Sequence, residues 1–361
     1  MTSPSTVAER LVSADSHVSV THDQVKANLD PRLHDAYDTA QQAFAERVSK
    51  RGAGEANTAA MKRNPHAAFT RPGYRDGAAR LEDMDTDGVD VEVVYSEVSA
   101  FRYMGDMREG IAETSRAFND VLAEYASADP KRLIVSYQIQ IHDIAAAAAE
   151  VRRVAAAGGK SLQLPVFPVE LGLPDYYDDR YHPLWAAISD VGLPICCHIG
   201  LNTTLDDLTR RDPTPQKGVM VPMTALMTGE AIGMWIMPGT LEKFPDLRIV
   251  FVEPGLGWVA WYLATIDDLV KRQGYRFEGL SELPSFYFHR NMALTYIDEP
   301  DAIQLLRHRI GVGNIMWSSD YPHPVTSWPD SQKLIARSFR GVPDDEREAI
   351  LSGNATRIWS L

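Results

Sequence analysis

From residue 78 onwards the chain alternates between short apolar runs and longer helical patterns. The apolar runs predict strands over 89–95, 133–141, 160–166, 193–198, 248–252, 291–297 and 315–317, and residues 10–20 predict a first strand before them. Helices are predicted between most of these strands, over 78–88, 109–129, 143–157, 183–191, 223–237 and 301–309. Because parallel strands need a crossover between them, and enough crossovers close a barrel, the order predicts an α/β fold, a (β/α)8 TIM barrel.

Residues 20–80 interrupt this pattern after the first strand. The stretch is polar, carries Pro31, Pro65 and Pro72, and contains one predicted helix over 35–48. Its length exceeds that of an ordinary strand-to-helix connection, which indicates a functional lid, a disordered segment or a solvated insertion. The remaining chain, with amphipathic helices predicted over 344–351 and 355–361, is interpreted as one domain over 1–361.

Charge and cysteine content limit the surroundings of the protein. A net charge of -13 argues against nucleic acid or an anionic membrane as a partner, since both attract basic surfaces. The two cysteines, Cys196 and Cys197, are adjacent and cannot form a disulfide framework, which favours a reducing cytoplasm. Neither a signal peptide nor a membrane-spanning run is evident. We therefore expect a cytoplasmic protein that acts on a small molecule.

Three predicted strands end in a residue that can bind a metal or carry a proton. Asp320 follows the run 315–317, and Pro322 and Pro324 prevent that strand from continuing past His323. His198 ends the run 193–198, and Glu253 follows the run 248–252. Each has an ordinary interpretation, such as an Asp that begins a turn or a His satisfied within the core.

The first strand adds Asp15 and His17, which point to the same face because they are two residues apart. In a closed barrel the carboxyl ends of all strands form one face, so these groups are expected to meet there. Clustered carboxylates repel one another unless a cation neutralises them. We therefore predict a metal site of Asp15, His17, His198, Glu253 and Asp320, holding one or two ions of zinc, iron or manganese.

Four motifs give the chain a resemblance to a known family: Ala14-Asp-Ser-His17, Gly255-Leu-Gly-Trp258, the stretch 314–324 and Ser352-Gly-Asn-Ala. The chain resembles the amidohydrolase superfamily, in the amidohydrolase-related branch with aminocarboxymuconate-semialdehyde decarboxylase, resorcylate-type decarboxylases and several hydrolases. The resemblance implies that Asp320 binds metal and handles protons, and that His198 is the fifth-strand ligand. Asp15 takes the leading place of a first-strand His-x-His or Glu-x-His pair. Glu253 replaces a sixth-strand histidine found in many members.

The expected function is a metal-dependent hydrolase of an amide, ester or thioester. Asp320 would take a proton from a metal-bound water, and His323 or His17 would protonate the leaving group. The alternatives are a non-oxidative decarboxylase of an aromatic or unsaturated carboxylic acid and a catalytically inactive barrel that binds a partner.

Substrate contacts are assigned to Arg290, Lys160 and Trp258. Arg290 and Lys160 are the candidates to compensate the charge of an anionic substrate. A homo-oligomer, most simply a dimer, is expected; tryptophans on predicted helices, such as Trp235, Trp258 and Trp261, suit an interface, although core packing is the commoner role of such residues.

Overall fold

The computed structural model describes residues 10–50, 69–200, 205–214 and 218–361. Its eight strands are β1 (Val12–Val18), β2 (Val91–Ser96), β3 (Leu133–Gln138), β4 (Ser161–Gln163), β5 (Ile195–His198), β6 (Ile249–Val252), β7 (Met292–Tyr296) and β8 (Ile315–Trp317). Each strand pairs in parallel with the next in sequence order. The predicted barrel is confirmed.

The barrel closes where the chain leaves β8 and meets β1. Ser16 forms a parallel bridge with Tyr321. The His17 amide donates to the Tyr321 carbonyl at 2.6 Å, and the Asp320 amide donates to the Asp15 carbonyl at 3.0 Å. The backbone hydrogen bonds that close the barrel, which form its seam, are therefore made by three candidate ligands, Asp15, His17 and Asp320, together with Tyr321.

Helices cover the outside of the barrel. In chain order they are α1 (His22–Asn28), α2 (His34–Lys50), α3 (Gly77–Asp87), α4 (Ser99–Gly105), α5 (Ile111–Ala126), α6 (Ile144–Ala156), α7 (His182–Val191), α8 (Asp206–Arg211), α9 (Met220–Leu226), α10 (Thr228–Ile236), α11 (Thr240–Lys243), α12 (Val259–Gln273), α13 (Pro284–Asn291), α14 (Arg307–Ile310), α15 (Ser331–Ser338), α16 (Asp344–Glu348) and α17 (Asn354–Trp359). Turns of π-helix at Ala302–Leu306 and Ala349–Gly353 precede α14 and α17. Within the described ranges, no helix has the length and apolar character needed to cross a membrane.

The described part of the insertion is packed rather than solvated. Thr21 begins α1 with a capping box to Gln24, and Val25, Leu33 and Tyr37 are fully buried against the barrel's helices. Residues 51–68, with Pro65, lie outside the described residues. The expectation of a purely solvated insertion is therefore wrong for α1 and α2, because their apolar faces belong to the main core.

The core has two layers. Large side chains such as Trp185, Trp235 and Phe251 fill the space between strands and helices. A second cluster fills the barrel interior and joins inward-facing residues such as Val93 and Met316 to the C-terminal helix α17. Because Ile358 and Trp359 of α17 belong to this cluster, the C-terminal helix packs against the filled barrel interior.

Candidate metal centre

A β-bulge in β1 turns Asp15 and His17 towards the barrel interior. Val12 and Ala14 already belong to the interior cluster, so strict alternation would point Asp15 outwards. The register of β1 against β2 shifts between Ser13 and Ser16, which adds the extra residue that changes the phase. As a result Asp15 Oδ1 lies 3.6 Å from His17 Nε2, and both side chains are buried.

His198, at the end of β5, also faces Asp15. Its Nδ1 is 2.7 Å from the carbonyl oxygen of Ile199, which leaves Nε2 directed at the carboxylates. Nε2 is 3.6 Å from Asp15 Oδ1 and 3.8 Å from Glu253 Oε2. The ends of β1, β5 and β6 are thus brought together.

Asp320 completes the cluster from the end of β8. Its Oδ1 lies 3.1 Å from His17 Nε2 and 2.9 Å from His323 Nδ1. The rings of His17 and His323 are stacked, with centroids 3.7 Å apart. The five predicted ligands and His323 therefore lie in one group at the carboxyl ends of the strands.

Many polar atoms of this group are buried without a hydrogen bond. Among the described residues, they include both carboxylate oxygens of Asp15, Nδ1 of His17 and Nε2 of His198. Buried polar groups in proteins are nearly always satisfied, so orphans concentrated in one place point to a missing charged partner. The potential ligand atoms of Asp15, His17 and His198 all lie within 4.8 Å of one another, as do those of Glu253, Asp320 and His323. A carboxylate and imidazole donor set of this kind fits a divalent transition metal.

The electrostatics show the same excess of unneutralised charge. Burial lowers the pKa of His198, but the carboxylates of Asp15 and Glu253 outweigh it and raise the pKa to about 9. Burial and repulsion from Asp320 raise the pKa of Glu253 to about 8. Burial also works against ionised Asp320, yet His323 and His17 hold its pKa below the usual value. Protons thus partly fill the role that a cation would take.

Two of the ligand positions carry an unusual backbone conformation. Glu253 and Asp320 have φ values of 63° and 51°, in the left-handed region that non-glycine residues seldom adopt. The Glu253 amide donates to Thr295 Oγ1 at 2.7 Å, which fixes that turn. Backbone strain of this kind concentrates at functional sites.

Two of the residues predicted to contact the substrate lie away from the candidate metal centre. Arg290, at the end of α13, donates to Asn291 Oδ1 and to the Leu241 carbonyl, and the Lys160 ammonium donates to the Ser360 carbonyl. Both residues come just before a strand, at the amino end of the barrel, so the structure does not bring them to the site. Trp258 follows β6 on the correct side, and its indole N–H donates to the Pro254 carbonyl at 2.8 Å.

The structure adds residues that the sequence analysis did not assign to the site. Glu97 follows β2, accepts a hydrogen bond from Tyr74 Oη at 2.8 Å, and lies 3.9 Å from His323 Nε2. Gln138 and Gln163 end β3 and β4 and are fully buried. The signal that could have found Glu97 is the one used for Asp320, an acidic residue directly after a buried strand.

The whole of this architecture matches a family model. The model described as amidohydrolase (Amidohydro_2) matches residues 15–361. The chain belongs to the amidohydrolase family. The predicted resemblance is therefore confirmed.

Proteins similar to this chain include several that are named as decarboxylases. Gamma-resorcylate decarboxylase from Rhizobium sp. (strain MTP-10005) is 25% identical over 304 residues, which cover 78% of this chain and 86% of that protein. The structure of 5-carboxyvanillate decarboxylase from Sphingomonas paucimobilis is 21% identical, with a TM-score of 0.72, covering 98% of this chain and 100% of that one. Dihydroxybenzoic acid decarboxylase from Polaromonas sp. JS666, solved with manganese and 2-nitroresorcinol, is 16% identical. Its TM-score is 0.70, and the match covers 98% of this chain and 97% of that one.

These comparisons correct the expected reaction. A hydrolase was the leading expectation, because three carboxylates around a metal suit the activation of water. The two curated relatives of this amidohydrolase-family chain are instead named as gamma-resorcylate decarboxylases, each 25% identical to it. The hydrolase prediction is therefore wrong, and the alternative stated beside it is the better supported.

Proposed function

We propose that this protein is a metal-dependent, non-oxidative decarboxylase of a hydroxylated aromatic carboxylic acid. The observation that carries the proposal is the buried set of unpaired carboxylate and imidazole atoms at the carboxyl ends of β1, β5 and β8. The names of the relatives, which describe decarboxylases of resorcylate, carboxyvanillate and dihydroxybenzoate, support the substrate class.

Asp15, His17, His198 and Asp320 are the residues that would hold the metal, with Glu253 beside them. Their mixed oxygen and nitrogen donors suit manganese, iron or zinc, and manganese in a structural neighbour favours that ion. When bound, such an ion supplies the positive charge that attracts the carboxylate and adjacent hydroxyl oxygens of the substrate.

Asp320 and His323 are placed to handle the single proton that the reaction consumes. The bond between the ring carbon and the carboxylate breaks, carbon dioxide leaves, and the electron pair left on the ring carbon takes a proton. Burial opposes the charged form of His323, but Asp320 outweighs it and raises the pKa of His323, which favours the protonated imidazole. Only 2.9 Å separates His323 Nδ1 from Asp320 Oδ1, so the proton can pass to Asp320 and from there to the ring carbon.

The site has room for a one-ring substrate. A cavity of about 340 Å³ borders it and is lined in part by Glu253, Gly255, Tyr296 and Val325. This volume is in the range of small-molecule pockets in proteins. Glu253 belongs to both the cavity and the ligand cluster, so the cavity adjoins the proposed metal site.

The test is carbon dioxide release by manganese-loaded protein from a panel of hydroxybenzoates. Acids with a hydroxyl next to the carboxylate are expected to react, and 4-hydroxybenzoate serves as the control that lacks this hydroxyl. Release with no dependence on the metal would contradict the proposal. No release from any acid, with manganese bound stoichiometrically, would favour the barrel as a binding protein.

Asp320→Asn tests the role of the proton carrier. We expect carbon dioxide release to fall by about 10²-fold or more, the usual contribution of a positioned acid. Asp87→Asn is the matched control, since Asp87 is also a buried aspartate but lies in α3, where it accepts hydrogen bonds from Ser331. Equal rates for Asp320→Asn and the control would exclude Asp320 as the proton donor.

A further inference from the structure

Arg80 is a fully buried arginine that the proposed chemistry does not use. It lies on α3, outside the barrel, with none of its surface exposed. Its Nε donates to Glu92 Oε2 of β2 at 2.5 Å. Burying a charged pair costs desolvation that a hydrophobic pair would avoid, so the position of this arginine calls for an explanation.

The guanidinium contacts the barrel seam directly behind the metal centre. Nη1 donates to the His17 carbonyl at 3.0 Å and to the Gly73 carbonyl at 3.3 Å. The Cζ atom lies 3.9 Å from the centroid of the Tyr321 ring. Arg80 thus contacts His17 itself and the residue after Asp320, which are joined to each other by the hydrogen bond from the His17 amide to the Tyr321 carbonyl.

The far side of the guanidinium is anchored to the strand next to β1. Glu92 Oε2, which binds Arg80 Nε, also lies 3.2 Å from the Ser16 hydroxyl, its donor. Because the guanidinium is planar and its donors form a fixed fork, these contacts set its orientation. The backbone on both sides of the seam is thereby tied to one rigid group.

His17 needs support of this kind. A metal-binding histidine is usually oriented by a hydrogen bond from its second ring nitrogen. Within the part of the chain that the structure describes, His17 Nδ1 has no hydrogen-bond partner, and Nε2 lies 3.1 Å from Asp320 Oδ1. No hydrogen bond from Nδ1 orients the ring, so the backbone and ring stacking on His323 contribute to its orientation.

We propose that Arg80 is a positioning residue of the metal centre, which holds His17 and the Asp320–Tyr321 turn in register across the barrel seam. The inference rests on the metal centre in the proposed function, but it does not depend on which substrate is decarboxylated. It predicts that Arg80 controls metal affinity through the His17 carbonyl and the Tyr321 ring, without contacting the metal.

The chain offers a matched control for the simpler role of stabilising the fold. Arg307, on α14, is also buried, donates from Nε to Glu346 Oε2 at 2.5 Å, and donates from Nη1 to the carbonyls of Ile303 and Gln304. Its contacts have the same chemistry but lie away from the ligands. A loss of stability alone should appear equally in variants of either arginine.

The experiment compares Arg80→Lys with Arg307→Lys by calorimetric titration of the metal-free proteins with manganese. Arg80→Lys keeps the charge but loses the fork, so its dissociation constant should rise about 10- to 100-fold, as for other groups that orient a ligand. Arg307→Lys should bind manganese as the natural protein does. Unchanged affinity in Arg80→Lys, beside a melting temperature lowered in both variants, would overturn the proposal.

Glu92→Gln, with Glu346→Gln as its control, tests the same idea should Arg80→Lys not fold. Loss of the anchoring charge should weaken manganese binding in Glu92→Gln alone, and equal affinities in the two would refute the proposal. Because affinity is measured without turnover, absence of decarboxylation in the natural protein would reject the proposed function and leave this comparison intact.

Discussion

At the residue scale, the metal centre is defined by buried atoms that lack partners. Asp15 and Asp320 are fully buried; within the described part of the chain neither oxygen of Asp15 has a hydrogen bond, and the close polar neighbours of Asp320 Oδ1 are the imidazoles of His17 and His323. An isolated buried carboxylate is strongly disfavoured unless it is paired or coordinates a metal. His17 and His198 face the same space with unpaired nitrogens. One bound cation would account for all four side chains together.

Replacing His198 should remove metal without unfolding the protein. His198→Ala deletes a predicted ligand. Manganese affinity should therefore fall by more than about 100-fold, the upper range for residues that only orient ligands. The control is His289→Ala. His289 lies on α13 and contacts Asn314, away from the predicted ligands. Metal content and circular dichroism of both variants provide the measurement. Full manganese occupancy in His198→Ala would remove this residue from the ligand set.

The residues of the cluster could be found from the sequence because each follows a strand pattern. The same rule explains why Arg290 and Lys160, which were predicted to contact the substrate, do not lie at the site. Both precede strands, and the amino ends of the strands lie at the opposite side of the barrel. Glu97 was missed because the predicted second strand ended at Tyr95, two residues before it. The contacts of Arg80 were beyond prediction, since they depend on how α3 packs against the seam.

At the element scale, the C-terminal helix is part of the barrel core. Trp359 is 1% exposed and packs in the interior cluster with residues of the strands. Its indole nitrogen lies 3.1 Å from Ser161 Oγ of β4, to which it donates. α17 therefore packs against the interior residues at the amino ends of the strands, on the side of the barrel away from the metal centre.

Trp359→Ala should destabilise the fold but leave the chemistry of the site unchanged. Replacement of a buried tryptophan by alanine costs about 3–5 kcal/mol of the free energy of unfolding. Chemical denaturation gives this value, and manganese titration of the folded variant provides the second reading. A loss below about 1 kcal/mol would show that α17 contributes little to the core.

Asp87 links α3 to α15 and should make stability depend on pH. Burial outweighs its hydrogen bonds to Ser331 and raises the pKa of Asp87 to about 6. The unfolded chain loses this proton near the ordinary value, so the contribution of Asp87 to stability falls as the pH rises from about 4 to about 6. A shift of about two pKa units corresponds to about 3 kcal/mol.

Asp87→Asn removes this titration and keeps an oxygen to accept from the Ser331 amide. The free energy of unfolding of the variant, relative to the natural protein, should increase between pH 4 and pH 6 and then level off. Denaturation curves across this range provide the measurement. A difference that is constant with pH would show that Asp87 ionises normally in the folded protein.

The positions of the strands were easier to predict from the sequence than the irregularities within them and the bounds of some helices. The strand Ile315–Trp317 has the predicted bounds, and the other seven strands fall within or close to theirs. The bulge in β1 left no mark in the sequence, since it depends on pairing with β2. The predicted helix over 223–237 is two helices, α9 and α10, and α15 was not predicted because Ser331–Ser338 is short and mostly polar.

At the scale of the whole molecule, parallel topology gathers residues that are 305 positions apart in sequence, from Asp15 to Asp320, at one end of the barrel. The protein carries a net charge of -13, which opposes the approach of an anionic benzoate. A cation at the proposed metal centre would offset that negative charge locally. Metal binding, substrate binding and proton transfer are therefore expected in one place.

The most direct test is decarboxylation of a reactive hydroxybenzoate by manganese-loaded protein in deuterated water, with the product analysed by NMR and mass spectrometry. Metal-dependent decarboxylation is expected to give one deuterium per carbon dioxide released, at the ring carbon that carried the carboxylate, and no reaction after chelation of the metal. A product that contains oxygen from water and forms without release of carbon dioxide would contradict it.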